Sequence, residues 1–520
     1  MTTGSLSRPS SFVPITISDG IRTSMGRYPD KVAFRESGRE LTYRALVERI
    51  NRVANGIRDG LSLQPGDHAA LLSPNTLEFV EIVCGLAEAG VPPALINSRA
   101  SEDDVKFICN DAGAKALFVH PSLEQLARAA APDSVEHIVV IGAQYEDWLA
   151  SASPTRPASR AEEWDTFCIP YTAGTTGAPK GVLLPHRSRV LTFFSMAVEY
   201  GCYGPDDRAL AVAPLYHGAG FAFALAPVFF GGTCEILPRF DPEQLLHAIQ
   251  AGRSTNVFMV PSHFQALFSL GDDVLDQYDT SSLRTIISNA APLAQVTKER
   301  IVERFGHDLL YECYGSTEGS IVSNLRPADQ LRKLQCVGLP FPLTSVRIMD
   351  EEGREAEPGQ PGELFSASPY LFSGYWNRPQ ESLGAVQDGW FSAGDIAYRD
   401  DEGYIYLIDR KNDKIISGGV NIFPREIEEV LLRHPSVVEA AVFGIPDERW
   451  GEAVHAVVVL RADGNAEQDG IIEFCASSIA RYKLPKQIEF ADHLPRNAAG
   501  KILRRELREP HWAGQTRQVS

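Results

Sequence analysis

Residues 166–184 read T-F-C-I-P-Y-T-A-G-T-T-G-A-P-K-G-V-L-L, and the organisation of the chain is read outward from them. A β-prone run, Phe167 to Tyr171, leads in, and a second apolar run, Val182 to Leu184, leads out. Between them, Gly174, Gly177 and Gly181 let the backbone take positive φ and bring its N–H groups close to an anion. Thr172, Thr175 and Thr176 add hydroxyl donors, and Lys180 adds a compact positive charge suited to phosphate. The common P-loop needs G-x-x-x-x-G-K-S/T opening a helix, and here Pro179 sits where its second glycine belongs. Apolar β-prone residues on both sides predict a loop between two strands instead. On these residues alone two readings stay open: a phosphate cradle, or a glycine-threonine surface hairpin without a ligand.

A chain of 520 residues has room for a large core and, on length, for about two to four domains. Its 44% hydrophobic and 22% charged residues are ordinary for a globular protein. The formal net charge of −18 argues against nucleic acid or an anionic membrane as the main partner. No charged-plus-apolar leader opens the chain, which argues against secretion. The longest apolar stretch, Phe221 to Phe230, is too short to span a bilayer and ends at Gly231-Gly232. The eight cysteines are scattered, without a C-x-x-C pair, and read as small buried hydrophobes in a reducing compartment. A cytoplasmic monomer or homodimer is expected.

In chain order, Lys31 to Arg35 reads as a strand, followed by helical periodicity at Leu46, Ile50, Val53 and Ile57 with Thr42 as its cap. His68 to Ser73 reads as a strand, and Phe79, Ile82, Val83 and Leu86 mark the next helix. Ala116 to Val119 and His137 to Ile141 are further strands. Alternating units of this kind predict an α/β layered domain. Ser151 to Arg160 turns to Ser, Pro, Ala and Arg, a surface loop. Leu210 to Pro214, Val257 to Ser262 and Thr285 to Leu293 are read as strands. Beyond Pro340, the runs Ser345 to Met349, Gly362 to Ser366 and Tyr404 to Ile408 predict a small antiparallel β region. The C-terminal part reads as a small α/β domain, with helices at Arg425 to Arg433 and Ile471 to Ile479 and strands at Glu439 to Phe443 and His455 to Leu460. No internal repeat is visible.

Thr172 to Gly181 closely resembles the signature loop of the adenylate-forming superfamily (acyl-CoA synthetases, adenylation domains of peptide synthetases, luciferases), S/T-S-G-S/T-T-G-x-P-K-G, departing from it only at Ala173. The resemblance assigns ATP phosphates to Thr172, Gly174, Thr175, Thr176, Gly177 and Lys180. Ala213 to His217 (A-P-L-Y-H) resembles a second signature and makes His217 the acyl-site candidate. Asn289-Ala290-Ala291 stands where relatives often carry Gly-Gly-Ala or Gly-Ala-Ala, beside the adenine and acyl pockets. Tyr311 to Glu318 (Y-E-C-Y-G-S-T-E) resembles the motif in which an aromatic stacks on the purine, a threonine donates to phosphate and a glutamate holds Mg²⁺. Those roles fall to Tyr314, Thr317 and Glu318.

Trp390 to Asp395 (W-F-S-A-G-D) supplies Asp395 for the ribose hydroxyls, with Ala393 replacing a common threonine. Asp409 to Lys414 (D-R-K-N-D-K) resembles the family hinge, with Arg410 reaching the ribose and Asn412 at the pivot. Ser417, Gly418 and Gly419 match the glycine-rich stretch implied to line the channel for coenzyme A, where absent side chains admit a thin chain. Leu494 to Ile502 resembles the last signature and marks Lys501 as the catalytic cation. The resemblance spans nearly the whole chain, from beyond the first dozen residues to about Pro510.

The expectation is therefore an α/β protein. A large N-terminal AMP-binding domain of several subdomains, residues 1–409, includes the small β region. A small mobile C-terminal α/β lid, residues 410–520, would pivot near 410–413. The implied activity is that of an acyl-CoA synthetase using ATP, Mg²⁺ and coenzyme A on a hydrophobic monocarboxylic acid. The segments implied to line the acyl site, Gly218 to Leu225, Met259 to Phe264 and Asn289 to Ala291, carry no Lys or Arg to partner a second carboxylate. A stand-alone enzyme loading a carrier protein, a luciferase-like oxygenase and a non-catalytic acyl-binding relative remain as alternatives. No carrier-protein domain follows Ser520, which weakens a multidomain synthetase, and the non-catalytic reading predicts decay of Lys501 or Glu318, both of which are intact.

Overall fold

The computed structural model describes residues 13–158, 161–173, 179–410, 413–418, 420–461, 466–496 and 502–512. Gly174, Thr175, Thr176, Gly177, Asn412, Gly419 and Lys501 lie outside the described residues. The chain is α/β and divides into two compact units. The first comprises residues 1–211, 215–239 and 369–382, and the second residues 212–214, 240–368 and 383–520.

In the first unit, strands Ala114–Val119, His68–Leu72, Pro93–Ile96 and Thr166–Ala173 form a parallel sheet in that spatial order, with His137–Val140 beyond the first. These strands are short and apolar on both faces, as parallel sheets covered by helices require. Helix Leu77–Glu88 is buried along its length and helix Tyr43–Asn55 packs beside it. Thr42 caps the latter as its sequence predicts, accepting from the Ala45 N–H at 3.2 Å, and Leu46, Ile50 and Val53 face the core. Aromatic rings fill the layer: Phe167 stacks on Phe221 at 5.8 Å, and Phe79 meets Phe221 edge-on at 5.6 Å. Phe221 belongs to helix Gly218–Phe229, so the longest apolar stretch is a buried helix. Among the described residues no helix is long and apolar enough to cross a membrane. All eight cysteines are buried, and none of them forms a disulfide.

The second unit contains the parallel strands Asn256–Met259, Thr285–Ser288 and Leu310–Ser316, continued in antiparallel fashion by Ser320–Leu325. Here the structure shortens three expected strands. Thr285 to Leu293 is strand only to Ser288, Val257 to Ser262 only to Met259, and in the first unit Leu210 to Pro214 is replaced by Arg208–Ala211. Each run heads into a proline (Pro292, Pro261, Pro214), and Pro261 opens helix Pro261–Phe268, where its missing N–H costs nothing. The antiparallel region appears as expected: Ser345–Met349 pairs with Gly362–Ala367, and Asp395–Arg399 with Ile405–Arg410. The smaller C-terminal part is a sheet built on the pair Val437–Asp447 and Gly451–Leu460, joined in parallel by Gln487–Phe490 and backed by helices Pro424–Leu431 and Gln468–Ala476.

One turn in this unit leaves no room for a side chain. Strands Leu310–Ser316 and Ser320–Leu325 are joined through Thr317, Glu318 and Gly319, and a methyl group on Gly315 would lie 1.9 Å from the carbonyl oxygen of Ser320. Backbone cannot yield there without breaking the ladder. Gly315→Ala is expected to cost at least about 2 kcal/mol of stability, as overpacking against backbone does. Thermal unfolding of the variant checks this, and an unchanged midpoint would refute the close approach.

Candidate active site

Five of the residues singled out for the nucleoside converge on one cleft of about 230 Å³ in the second unit: Ala290, Ala291, Tyr314, Asp395 and Arg410. Topology does this. Tyr314 lies on strand Leu310–Ser316, Asp395 opens strand Asp395–Arg399, and Arg410 ends strand Ile405–Arg410 directly opposite Asp395. The Tyr314 hydroxyl donates to Asp395 Oδ2 at 2.5 Å, and Arg410 Nε stands 3.4 Å from Asp395 Oδ1. Burial, reinforced by the Asp395 charge, pushes the Tyr314 phenol well above its ordinary range. Tyr314 therefore stays a neutral ring with its hydroxyl fixed, able to offer a face to a flat heterocycle.

Ala290 is held at φ 79°, a conformation an alanine rarely adopts, where the related motif often has glycine. Asn289 supports it. Its carboxamide oxygen accepts from the Ala290 N–H, and its amide nitrogen donates 2.8 Å to the Cys313 carbonyl. The asparagine thus ties the loop to the Tyr314 strand.

Thr317 and Glu318 occupy the three-residue turn beyond Tyr314, half-buried, and do not line the cleft. Hydroxyl and carboxylate are an oxygen-only donor set, which fits a Mg²⁺ ion that retains water and phosphate ligands. Ser417 ends strand Ile415–Ser417 and Gly418 follows at φ 58°. The space a Gly418 side chain would need is taken by the Trp450 indole, 2.6 Å from the position of its Cβ, and neither Ser417 nor Gly418 lines the cleft.

In the first unit the two strands that flank residues 174–178 pair as an antiparallel ladder, Thr172 with Lys180 and Tyr171 with Gly181. A Cβ on Gly181 would press on Ile169 at 2.9 Å. Lys180 forms an ion pair with Glu381 and lies 5.4 Å over the Tyr375 ring. Asp111 anchors both neighbouring segments, accepting from the Tyr171 hydroxyl at 2.9 Å and from Arg378 at 2.7 Å. His217 precedes helix Gly218–Phe229 and is half-buried with its Nε2 enclosed; among the described residues that nitrogen has no hydrogen-bond partner, and desolvation lowers the ring's pKa to about 4. The imidazole is neutral at physiological pH.

The cleft also holds residues that no short motif signals. Arg504 makes a bidentate pair with Glu428 at 2.6–3.0 Å, across 76 residues of sequence. Asp409, 9% exposed, accepts the backbone N–H groups of Arg410 at 2.7 Å and Arg425 at 3.1 Å. Burial raises its pKa to about 6 despite the nearby Arg504. Asp409 stands in the hinge-like motif, but its burial follows from strands that converge only in the fold. Lys298 and Glu312, both buried, pair behind the Asn289 loop.

Asp409 makes a directional prediction. With a folded pKa near 6 against an ordinary value near 4, the folded state holds a proton that the unfolded state has lost between those pH values. Stability from this group is full below pH 4 and falls as pH rises through 6, by about 2–3 kcal/mol. Asp409→Asn removes that titration, so its stability relative to wild type should improve by about that much between pH 4 and 7. Urea unfolding at several pH values measures this; a pH-independent difference would assign the ionisation elsewhere.

The family described as AMP-binding enzyme matches residues 21–376, and the AMP-binding enzyme C-terminal domain matches residues 426–501. A feruloyl-CoA synthase from Amycolatopsis sp is 35% identical, over 92% of this chain and 96% of that protein. The fatty acid–acyl-carrier-protein ligase ScoC of Streptomyces coeruleorubidus is 34% identical over 93% of this chain and 94% of its own. The crystal structure of ATP-bound MatB from Rhodopseudomonas palustris superposes with a TM-score of 0.88 at 29% identity, covering 96% of this chain and 99% of that one. The chain belongs to the AMP-binding enzyme family and is an enzyme of the adenylate-forming superfamily, similar over nearly its whole length to ligases that activate carboxylic acids.

Proposed function

We propose that this protein is an ATP-dependent carboxylic acid–CoA ligase acting on a hydrophobic monocarboxylic acid. The observation that carries the nucleotide part is the convergence of Ala290, Ala291, Tyr314, Asp395 and Arg410 on one cleft. Tyr314 supplies a neutral stacking face there, while Asp395 supplies acceptors for vicinal hydroxyls.

In the first half-reaction a carboxylate oxygen of the acid attacks the α-phosphorus of ATP, the α–β phosphoanhydride bond breaks, and pyrophosphate leaves. Negative charge accumulates on the phosphate oxygens, so catalysis is electrostatic. Thr172, Lys180 and the backbone of the intervening loop hold the phosphate chain, and Lys501 faces the developing charge. Lys180 must leave Glu381 to do so. Glu318, with Thr317 next to it, would hold the Mg²⁺ carried with ATP, which would supply charge neutralisation. In the second half-reaction the thiol of CoA attacks the acyl carbon, loses its proton, and AMP leaves with the bonding pair. Ser417, Gly418 and Gly419 line the thiol arm once residues 410–413 pivot.

The acid site draws on the buried, unsatisfied Nε2 of His217 and on the apolar helix Gly218–Phe229. Neutral histidine and apolar walls suit one carboxylate attached to a hydrophobic body. The feruloyl and fatty-acid relatives are consistent with this. ScoC also favours a second reading, in which the acceptor is a carrier-protein thiol.

Three measurements test the proposal. AMP formation with CoA should exceed that with carrier protein by at least about tenfold; the reverse ratio would transfer the activity to the second reading. Lys501→Ala should depress acyl-adenylate formation by about 10²–10³-fold while thioester formation from supplied acyl-adenylate stays within about twofold. Equal loss of both steps would contradict the assigned division of labour. In a pyrophosphate-release panel of fatty, benzoic, cinnamic, alicyclic and dicarboxylic acids, preference for acetate or a dicarboxylate would overturn the account of the acid.

A further inference from the structure

A separate set of ligand-type side chains gathers on the C-terminal sheet. Strand Gly451–Leu460 pairs in parallel with Gln487–Phe490, His455 opposite Gln487 and Val457 opposite Glu489, so His455 and Glu489 share a face. Over that face lie the short helix Arg504–Arg508 and the turn Glu509–Trp512. Leu507 packs into the cluster of Phe443, Val457 and Leu494, and the Trp512 indole N–H donates 2.9 Å to the Gly444 carbonyl. This docking brings His511 to a ring-centroid distance of 4.7 Å from His455. The Glu489 carboxylate is 3.7 Å from His455 Nε2. One ligand atom from each of the three residues lies within 4.8 Å of the other two.

His455 is the informative member. It is 1% exposed, and among the described residues neither ring nitrogen has a partner within hydrogen-bond distance, the Glu489 carboxylate lying just beyond it. Buried polar atoms are normally satisfied, and an imidazole with both nitrogens orphaned is unfavourable unless something else uses a lone pair. Packing against Phe443, at 5.2 Å, explains an aromatic ring at this position but not an imidazole facing a second imidazole and a carboxylate.

We propose that His455, Glu489 and His511 form a binding site for a divalent transition cation of the zinc class, pinning the terminal turn to the sheet. Two imidazoles and one carboxylate with a water in the fourth position suit Zn²⁺, whereas Mg²⁺ prefers oxygen ligands alone. Metal–ligand bonds of about 2.0–2.2 Å require the three atoms to draw closer than they now are. Glu489, with a side chain 56% exposed, and His511 on the terminal turn have room to do so. The site takes no part in the ligase reading, but its position has a consequence. Lys501 precedes His511 by ten residues (501 to 511), so the cation would fasten the far end of the segment that follows the lysine.

The full-length protein, stripped with EDTA and returned to chelator-free buffer, is titrated with Zn²⁺ by calorimetry and with Co²⁺ by visible absorption. The expected result is one Zn²⁺ per chain at micromolar affinity or tighter, undisturbed by millimolar Mg²⁺, a Co²⁺ band of four-coordinate intensity, and a rise in Tm with Zn²⁺. His511→Ala and Glu489→Gln should each weaken Zn²⁺ binding by at least about tenfold while keeping the Tm of the stripped wild type. Should either variant lose stability, the wild type decides alone: Zn²⁺ must protect His511, the more accessible of the two imidazoles, from diethyl pyrocarbonate. Absence of stoichiometric binding, equal affinity in wild type and both variants, or an unprotected His511 would overturn the proposal.

Discussion

The Asp395 carboxylate is the point on which the candidate nucleoside site depends. It accepts from Tyr314 on one strand and faces Arg410 across the ladder on another, so a single side chain fixes a ring, a cation and two strands. Both of its oxygens are engaged before any ligand arrives. That preorganises the geometry and keeps Tyr314 un-ionised, since a phenolate beside a carboxylate would be doubly penalised. The register of Asp395 with Arg410 also places both charged residues at the same end of one small sheet.

The surrounding backbone is shaped by what it lacks. Gly315 has no side chain because the next strand passes through that volume, and this close approach lets Thr317 and Glu318 emerge from a three-residue turn next to the stacking ring. Ala290 shows the opposite solution: a positive φ kept despite a side chain, with Asn289 tying it in place. The strain is local, and the hydrogen bonds of Asn289 offset it.

Most of the fold could be read from the chain because its signals are local. Thr42 before an apolar stripe predicts a capped helix, and Ser345 to Met349 predicts a strand, since cap chemistry and period-two alternation need only neighbouring residues. Strand ends at Pro214, Pro261 and Pro292 were extended too far because an apolar run does not announce where its ladder stops. Ala290, Ala291, Tyr314, Asp395 and Arg410, which share the cleft, each stand in a short motif. Asn289 as a brace, Glu381 as the partner of Lys180, and the Asp409, Glu428 and Arg504 group were not legible in that way. Each of those arises from segments far apart in sequence, so no spacing rule carries them. The triad of His455, Glu489 and His511 is hidden for the same reason: a strand, a parallel neighbour and a terminal turn meet only through sheet topology.

The charges lining the cleft suit the nucleoside part of the proposed nucleotide better than its phosphates. Glu428 is paired with Arg504, Glu439 with Arg496 at 2.9 Å, and Asp395 with Arg410, so the arginines lining the cleft are largely committed to carboxylates. Buried Asp409 and Glu429, both with raised pKa, add acid without adding cation. Such a lining tolerates an uncharged ring and a pair of hydroxyls, and a triphosphate there would meet neutralised arginines and excess carboxylate. On the proposed reading the phosphates belong instead to the glycine-threonine stretch, whose sequence offers backbone N–H groups and hydroxyls as donors that no carboxylate can neutralise. Its lysine is the exception, since Lys180 has Glu381 as a partner. A polyanion exchanging one carboxylate for several phosphate oxygens around that lysine gains charge contact at little added desolvation, because the ammonium is already removed from bulk water by Tyr375 and Glu381.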